Sequence, residues 1–587
     1  MRKSMLLVSI IVVLAIELGD ISANAGFRGA WILGKSRTRN LLSRLKGFTM
    51  AVSLADEPLI AATTLEGDFG PPQAGAPVAS CESLSTVELP ETTISMAQKV
   101  DPMGFKMAGG VQSGPGGPGG HNAPVGQGGP GVRGGPPREP FQPTDTTNHS
   151  QFCRVAATLQ PSGDSDIKIE VWLPRSGWNG KYLAVGNFGW AGSIMYNGLL
   201  MGLEGGYAVA STDTGHDNSL PMGQFALGHP DKVIDYGYRA VHEMTLVAKA
   251  LVKAYYGTAP RHSYFTGCSL GGQQALTEAQ RFPRDYDGIV AGSPASPIAH
   301  LNAFQIWPSL LVAQEPSRSI PREKSGLIRE AVLKACDELD GVRDGIIEDP
   351  AKCHFDPGTL LCNGEDKPTC LTAPQVDFLR LMYAGPINPR TGQKIYAPLA
   401  PGAEQTAIGV NGTGPMGVAV ALFKYLVFQD LNWDWKTLDL ERDVDFADKV
   451  LSTVNLAMNP NLRPFFDHGG KLLMYHGWLD GSSPMESVDY YNAVLKTVGA
   501  GEAENSIRLF NVPGMGHCMG GEGCDTFDKL GALDQWAETG KAPDRIVASK
   551  LSAGKVIRTH PLCAYPMVAK YKGSGSPDDA ENFVCSN

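Results

Sequence analysis

The chain carries little charge, and its charge is weighted toward acidic residues. Of its 587 residues, 19% are Asp, Glu, Lys or Arg, and the formal net charge is −10. A nucleic-acid-binding protein normally presents a basic face, whereas the body of this chain has no Lys/Arg-rich run interleaved with aromatic residues. We therefore expect no nucleic-acid partner. Hydrophobic residues make up 42% of the chain, which indicates a globular protein with a substantial core.

The chain also lacks an apolar run long enough to be read with confidence as a membrane span. Its apolar run from Met5 to Ile16 is too short for that purpose. The run follows two basic residues and precedes Ala23-Asn24-Ala25, which is the layout of an export signal. We predict a signal peptide over 1–25, with an uncleaved anchor as the alternative, and we leave segment 26–78 unassigned. The expected location is secreted or periplasmic, with no membrane contact after signal removal.

No two cysteines have the Cys-x-x-Cys spacing, which argues against a zinc ribbon or a thioredoxin-like site. Eleven cysteines fit an exported protein, because disulfide bonds persist in oxidising compartments. The odd count means that at least one thiol is unpaired or pairs between chains.

A Gly/Pro-rich stretch over 104–138 has few apolar side chains to bury, so we expect a flexible surface loop. Its glycines do not follow a strict Gly-X-Y repeat, which excludes collagen. We interpret the stretch as a spacer.

Strand-like and helix-like segments alternate from about residue 150 onward. This alternation predicts an α/β fold with a mostly parallel sheet that is covered on both faces. The pattern breaks from about 297 to 450 and then resumes, so we expect one core interrupted by a lid. The expected parts are 79–297 and 451–587 for the core and 298–450 for the lid. The predicted strands are 181–186, 207–211, 264–266, 288–293, 471–477 and 507–510, and the predicted helices are 240–254 and 272–281.

A Gly-x-Ser-x-Gly motif, Gly267-Cys268-Ser269-Leu270-Gly271, lies between a predicted buried strand and a predicted helix. This is the layout of a nucleophile elbow, in which a tight turn exposes the serine hydroxyl for acyl transfer. The flanking glycines have a steric reason, since strand and helix backbones nearly touch there. In a chain with 70 glycines the motif alone is weak evidence, so a base and an acid must accompany it.

Asp480 and His517 each follow a predicted late strand, His517 within a glycine-rich loop. The order Ser269, Asp480, His517 is the one found in α/β-hydrolases and differs from the orders in chymotrypsin and subtilisin. A serine needs an imidazole to accept its proton, and that imidazole needs an acid to orient it. We therefore predict these three residues as a catalytic triad. Three competing bases lack such a placement, namely His216, His262 and His476.

The elements Cys268-Ser269, Asp480 and His517-Cys518 resemble those of the tannase and feruloyl esterase family. The resemblance runs from roughly Cys81 to Cys585 and extends to a bacterial terephthalate-monoester hydrolase. It implies an α/β-hydrolase fold with a large inserted lid domain. It also implies a disulfide bond between Cys268 and Cys518, which ties the elbow to the histidine loop. With that bond accepted, the expected pairs are Cys336–Cys353, Cys362–Cys370, Cys563–Cys585 and Cys81–Cys153, with Cys524 left over.

An oxyanion hole requires two backbone N–H donors directed at the developing negative charge. Leu270, the residue after the nucleophile, is the usual first donor in this fold. We expect the second donor in the loop 186–189 and favour Gly189. An ordinary strand-to-helix turn is the alternative for this loop.

Closely spaced aspartates in the expected lid can supply hard oxygen ligands, although they do not match the EF-hand spacing. From spacing alone, a solvated Asp-rich turn is an equal alternative. Because lids of the resembling family carry calcium, the resemblance implies a structural Ca²⁺ ion here. The matching ligands are the side chains of Asp337, Asp340 and Asp344 and the carbonyls of Val342 and Ile346.

The expected function is a secreted serine ester hydrolase acting on small or plant-polymer-linked aromatic esters, feruloyl esters first. Gallate esters and terephthalate monoesters are alternative substrates. The alternative function of a different class is a catalytically inactive hydrolase fold that serves as a binding module. Aromatic lid residues are candidates for an acyl pocket, with core packing as the alternative, and Lys424 is a candidate partner for a substrate carboxylate. The sequence leaves the oligomeric state open. The aromatic candidates are Trp307, Phe423, Tyr425, Phe428, Trp433 and Trp435.

Overall fold

The computed structural model of the chain describes residues 75–101, 151–405, 414–454 and 457–587. The predicted signal peptide over 1–25 and the Gly/Pro-rich stretch over 104–138 lie outside the described residues. So does the unassigned segment 26–78, apart from its residues 75–78.

The central element is a nine-stranded sheet. Its strands are β1 (Thr92–Val100), β2 (Phe152–Leu159), β3 (Ile167–Pro174), β4 (Lys181–Val185), β5 (Ala208–Thr212), β6 (His262–Cys268), β7 (Gly288–Gly292), β8 (Lys471–Gly477) and β9 (Ile507–Val512). Their spatial order is β1-β2-β3-β5-β4-β6-β7-β8-β9. The strands from β5 to β9 along this order pair in parallel, whereas β1, β2, β3 and β5 pair antiparallel. The prediction of a mostly parallel sheet is confirmed.

The composition of the strands explains why they occupy these positions. β5 and β7 are buried along their whole length, and their sequences are short runs of small and β-branched residues. Strands buried on both faces read as continuous apolar segments, which made them recognisable in the sequence. β1, at the edge of the sheet, has several exposed positions, and β1 to β3 add an antiparallel edge to the predicted strands.

The structure describes thirteen α-helices, several of which cover the two faces of the sheet. They are α1 (Tyr196–Glu204), α2 (Pro230–Ile234), α3 (Ala240–Tyr256), α4 (Leu270–Arg281), α5 (Ile298–Gln314), α6 (Ser325–Cys336), α7 (Ala373–Ala384), α8 (Gly417–Ala421), α9 (Asp443–Leu451), α10 (Arg463–Asp467), α11 (Met485–Val498), α12 (Ala500–Ala503) and α13 (Lys529–Thr539). Residues of α3, α4 and α11 share one apolar cluster with Ile289 and Met474 of the sheet. Residues of α1 and α13 share another with Val290 and Leu473, the neighbouring positions on the opposite face. The core therefore consists of two apolar layers, one on each side of the sheet.

Between β7 and β8 the chain leaves the sheet for residues 293–470, which we call the insertion. It carries α5 to α10, and the predicted lid over 298–450 lies within it. One apolar cluster joins Phe423 and Leu422 of the insertion to Leu270 and Trp190, which follow β6 and β4. A second cluster joins α5, α6 and α7 to Trp478, which follows β8. The insertion thus packs on the loops at the carboxyl ends of three strands.

Two small antiparallel sheets follow the main one. They pair β10 (Arg545–Ser552) with β11 (Lys555–Cys563) and β12 (Val568–Tyr571) with β13 (Phe583–Ser586). Among the described helices, none is both long enough and apolar enough to span a bilayer.

Five disulfide bonds join the same pairs that were named from the sequence. They are Cys81–Cys153, Cys268–Cys518, Cys336–Cys353, Cys362–Cys370 and Cys563–Cys585. Cys524 is a buried free thiol.

Candidate active site

Ser269 occupies a sharp turn between the end of β6 and the start of α4. Its backbone angles, φ 63° and ψ −120°, lie in a region that costs a non-glycine residue about 1–3 kcal/mol. The turn is held by backbone hydrogen bonds. The Ser269 N–H donates to the Gly292 oxygen at 3.0 Å, and the Ser269 carbonyl accepts from Gln273 and Ala295, also at 3.0 Å. The serine is therefore fixed from both the neighbouring strand and its own helix.

The glycines of the motif allow this turn to approach its neighbours. A Cβ atom on Gly267 would lie 2.5 Å from the carbonyl carbon of Gly271, and one on Gly186 would lie 2.8 Å from the Gly271 Cα. Side chains at these positions would force the strand and the helix apart. The predicted steric reason for the glycines is thus visible in the structure.

Asp480 and His517 meet at the carboxyl ends of β8 and β9. The His517 Nδ1 lies 2.6 Å from the Asp480 Oδ2. The Asp480 side chain is 2% exposed, whereas that of His517 is 44% exposed. Since Nδ1 is engaged by the carboxylate, Nε2 is the nitrogen left to accept a serine proton.

Each of the two groups favours the charged form of the other. Burial opposes ionisation of Asp480, but the charge of His517 and hydrogen bonds from His476 and His517 outweigh it, so its pKa lies well below the usual range. Partial desolvation of the ring opposes protonation of His517, but the charge and hydrogen bond of Asp480 outweigh it, so its pKa is raised. The pair can therefore stabilise an imidazolium that forms during proton transfer.

The disulfide bond between Cys268 and Cys518 connects the residue before Ser269 to the residue after His517. The two cysteines are 250 residues apart in sequence, and their Cα atoms are 5.9 Å apart. Consecutive Cα atoms are about 3.8 Å apart. The bond therefore limits the distance between the backbones of Ser269 and His517.

His476 is a functional contact that the sequence reasoning missed. It is 1% exposed, its Nε2 lies 3.1 Å from the Asp480 Oδ2, and its Nδ1 lies 2.8 Å from the Ser487 Oγ. The N–H of Ser482 donates to the other carboxylate oxygen of Asp480 at 2.8 Å. Both ring nitrogens of His476 are thus engaged, and one of them holds the Asp480 carboxylate in place. Its position near the end of the strand that leads to Asp480 was the available signal.

The loop 186–192, which carries Gly189, packs against the start of α4. The Asn187 N–H donates to the Gln274 Oε1 at 2.9 Å, and the Asn187 side chain donates to the Thr212 oxygen at 2.8 Å. A Cβ on Gly271 would lie 3.0 Å from the Asn187 oxygen. The structure thus brings the two elements that carry Leu270 and Gly189 together, and their role as oxyanion donors remains a prediction.

His216, a second histidine set aside as a base, also supports this loop. Its Nε2 lies 2.7 Å from the Trp190 oxygen, and its ring stacks on Phe225 with centroids 3.6 Å apart. Burial lowers the pKa of His216 to about 4, so the ring is neutral near pH 7. It therefore serves as a hydrogen-bond partner for the loop backbone.

The acidic loop of the insertion follows α6 and is closed by the Cys336–Cys353 bond. The Asp337 carboxylate accepts from the Asp344 and Gly345 amides, and those of Asp340 and Asp344 each accept one loop amide. The Asp344 Oδ2 also lies 3.4 Å from Arg558. Among the described residues, the three carboxylates are not gathered within 4.8 Å of one another. Their oxygen chemistry nevertheless fits a hard cation such as Ca²⁺.

The aromatic residues of the insertion pack mainly with one another. Phe423 is fully buried and stacks with Trp433 at 5.8 Å between ring centroids. Phe428 stacks in the same way with Phe446. Trp307 belongs to the other insertion cluster, and Tyr425 and Trp435 pack at the edge of the first. The Lys424 Nζ lies 5.7 Å from the Tyr425 ring centroid. These contacts favour core packing over a pocket lining for most of the set.

Comparison with known proteins agrees with this architecture. The model of the family described as "Tannase and feruloyl esterase" matches residues 153–586. An uncharacterised esterase of Xanthomonas campestris is 39% identical over 485 residues, covering 74% of this chain and 84% of the relative. A probable feruloyl esterase B-1 of Aspergillus fumigatus is 34% identical over 463 residues, covering 74% of this chain and 86% of the relative.

Two solved structures resemble the described fold. Feruloyl esterase B from Aspergillus oryzae superposes with a TM-score of 0.76 and 29% identity, covering 86% of this chain and 99% of that one. Tannin acyl hydrolase from Aspergillus niger superposes with a TM-score of 0.66 and 19% identity, covering 86% of this chain and 94% of that one. At this identity the second likeness concerns the fold alone. The prediction of an α/β-hydrolase fold is confirmed.

The charge of Asp480 is expected to set the pH dependence of the site. Asp480→Asn removes the charge that raises the pKa of His517, so the acid limb of the kcat/KM profile should move to lower pH. The same change should lower kcat by on the order of 10⁴-fold. The measurement is the pH–rate profile with a chromogenic aryl ester. Asp448→Asn, which removes the carboxylate beside His300 in the insertion, is the matched control. An acid limb that stays in place in Asp480→Asn would contradict the assigned pairing.

The Cys268–Cys518 bond is expected to matter more for catalysis than the other disulfides. In a Cys268→Ser/Cys518→Ser variant we expect kcat/KM to fall by about a hundredfold, because small displacements of reacting groups are that costly. On the chain-entropy model the long loop also contributes about 5 kcal/mol to stability, an upper value. A Cys362→Ser/Cys370→Ser variant is the control, since it opens a loop of separation 8 within the insertion. Equal activity in the two variants would contradict the positioning role.

Proposed function

The chain belongs to the tannase and feruloyl esterase family, and from that premise we propose that it hydrolyses feruloyl and related hydroxycinnamoyl esters. Membership of this family makes it a carboxylic ester hydrolase. The observation that carries the assignment of the site is the Asp480–His517 pair linked to Ser269 through the Cys268–Cys518 bond. The proposal names Ser269 as the nucleophile, His517 as the base and Asp480 as the acid that orients it.

The reaction runs through an acyl-enzyme. The Ser269 Oγ attacks the ester carbonyl carbon while the Nε2 of His517 accepts the hydroxyl proton. The Leu270 and Gly189 N–H groups stabilise the oxyanion. The imidazolium, paired with Asp480, then donates its proton to the leaving alcohol as the C–O bond breaks. Water then attacks the acyl-enzyme while His517 accepts its proton, and that proton passes to the Ser269 Oγ as the ester bond breaks and the carboxylic acid leaves.

The proposed acyl group of the substrate is chosen from the chain's similarity to known esterases. A probable feruloyl esterase B-1 is 34% identical with 86% of its length covered. Among the solved structures, feruloyl esterase B is 29% identical and tannin acyl hydrolase is 19% identical. This difference supports feruloyl over gallate esters. Gallate esters remain the second candidate, and terephthalate monoesters a third within the same chemistry. A catalytically inactive binding module would have no use for the Asp480–His517 pair.

The proposed location is outside the cytoplasm, secreted or periplasmic. Five disulfide bonds support it, because such bonds persist in oxidising compartments. The predicted signal peptide lies outside the described residues.

We further propose that the acidic loop of the insertion binds a structural Ca²⁺ ion. The side chains of Asp337, Asp340 and Asp344 and the carbonyls of Val342 and Ile346 would hold it. Burial, together with the charges of Glu348 and Asp344, raises the pKa of Asp340 to about 7. A bound cation would offset this crowding of negative charge. When bound, the ion would brace the loop and take no part in the reaction.

A panel of three esters tests the proposed function. We expect purified protein to cleave methyl ferulate with a higher kcat/KM than methyl gallate or mono-hydroxyethyl terephthalate. Ser269→Ala should lower kcat by on the order of 10⁶-fold, since the triad acts as a unit. Released acid is measured by chromatography. A preference for gallate would make the protein a tannase, and a wild type inactive on all three esters would leave the binding-module hypothesis standing.

Chelation tests the calcium proposal. We expect a calcium chelator to lower Tm by about 3 °C, because the ion binds only the folded chain. Asp340→Asn should remove most of this response. Asp356→Asn is the matched control, since it changes an exposed aspartate that is paired with Arg380 outside the loop. A Tm that is unaffected by chelation would support the solvated Asp-rich turn instead.

A further inference from the structure

A second cluster of metal-ligating side chains lies on the face of the sheet covered by α3 and α4. His242 of α3, Glu278 of α4 and Asp285 in the connection to β7 bring one ligand atom each to within 4.8 Å of one another. Glu278 is nine positions after Ser269 along α4, which corresponds to about 13 Å of helix. The cluster is therefore separate from the catalytic residues and from the acidic loop of the insertion.

Glu278 is the unusual member of this cluster. Its side chain is 1% exposed, and neither carboxylate oxygen has a hydrogen-bond partner among the described residues. Burying an ionised carboxylate is costly unless it is paired or coordinates a metal. Most buried polar atoms in native proteins find a partner, so two orphan oxygens on one side chain call for an explanation.

The other two ligands are hydrogen-bonded to each other and can be reached from solvent, so an ion would displace the proton between them. The His242 Nδ1 lies 2.6 Å from the Asp285 Oδ2, and the His242 ring stacks on Phe282 with centroids 3.8 Å apart. The side chains of His242 and Asp285 are 23% and 12% exposed. An ion can thus enter beside His242 while Glu278 closes the inner side.

Lys249, on the same helix as His242, is the positive group that competes with a metal ion as the partner of Glu278. Its Nζ donates to the main-chain oxygen of Asp285 rather than to a carboxylate. Its contact with the main chain leaves the Glu278 oxygens without a direct partner.

We propose that His242, Glu278 and Asp285 bind one divalent transition-metal ion, with Zn²⁺ as the reference ion. One imidazole nitrogen and two carboxylate oxygens form a mixed donor set, which suits zinc better than calcium, an ion that takes oxygen ligands. Water would complete the coordination shell. The ion connects α3, α4 and the segment entering β7, so its role is to brace the core behind the nucleophile helix.

Zinc titration of the full-length chain tests this site. The protein is first stripped with a chelator and then returned to excess Ca²⁺, so that the acidic loop does not compete for zinc. Calorimetric titration should show about one equivalent of bound Zn²⁺, and zinc in large excess should raise Tm by about 3 °C. Glu278→Gln and His242→Gln should each weaken binding by at least about tenfold.

His229→Gln is the matched control, because it removes another His–Asp pair, formed with Asp164 at 3.0 Å, that lacks a buried glutamate. It should bind zinc as the wild type does. Circular dichroism and ester hydrolysis identify any variant that has misfolded, and the two cluster variants test the site independently. Absence of saturable binding, or binding that is equal in the wild type and both cluster variants, would overturn the proposal. If zinc does not bind and Glu278→Gln is as stable as the wild type, Glu278 is instead buried as a neutral, protonated carboxyl group.

Discussion

A single covalent bond joins the residue before the proposed nucleophile to the residue after the proposed base. The parallel sheet brings the ends of β6, β8 and β9 to one edge, but it does not determine where the loops beyond those ends lie. The loop after β9 contains Gly514 and Gly516, so its backbone has more freedom than most. Anchoring Cys518 to Cys268 removes that freedom at the place where His517 must face Ser269. The same bond also anchors the strained turn at Ser269, because Cys268 immediately precedes it.

Buried polar contacts surround this bond and complete the positioning. Asp480 is shared by two histidines, His517, which is partly exposed, and His476, which is buried at the end of β8. A neutral histidine, His216, holds the loop that carries Gly189 through its backbone. Such contacts are strong only when every member is satisfied, since an unpaired polar group in the interior is costly. The site thus depends on groups that do not themselves react.

The insertion has a different part in this arrangement. Its apolar cluster includes Leu270 and Trp190, so it packs directly on the two elements expected to supply the oxyanion donors. Its aromatic residues pack mainly against one another. The insertion is therefore positioned to hold the loop that carries Gly189 and the start of α4 in place.

Local patterns in the sequence were sufficient for much of this protein. Buried strands, the Gly-x-Ser-x-Gly turn and the order of Ser269, Asp480 and His517 depend on residue type and on short spacings, which a sequence displays directly. The antiparallel strands β1 to β3, the contact of His476 with Asp480 and the orphaned Glu278 beside His242 could not be derived in this way. These features depend on which surfaces meet after the chain has folded, because side chains distant in sequence acquire partners only through packing of the sheet, the helices and the insertion. The sequence by itself therefore determined the expected chemistry, and the tertiary structure decided which neighbours hold and tune it.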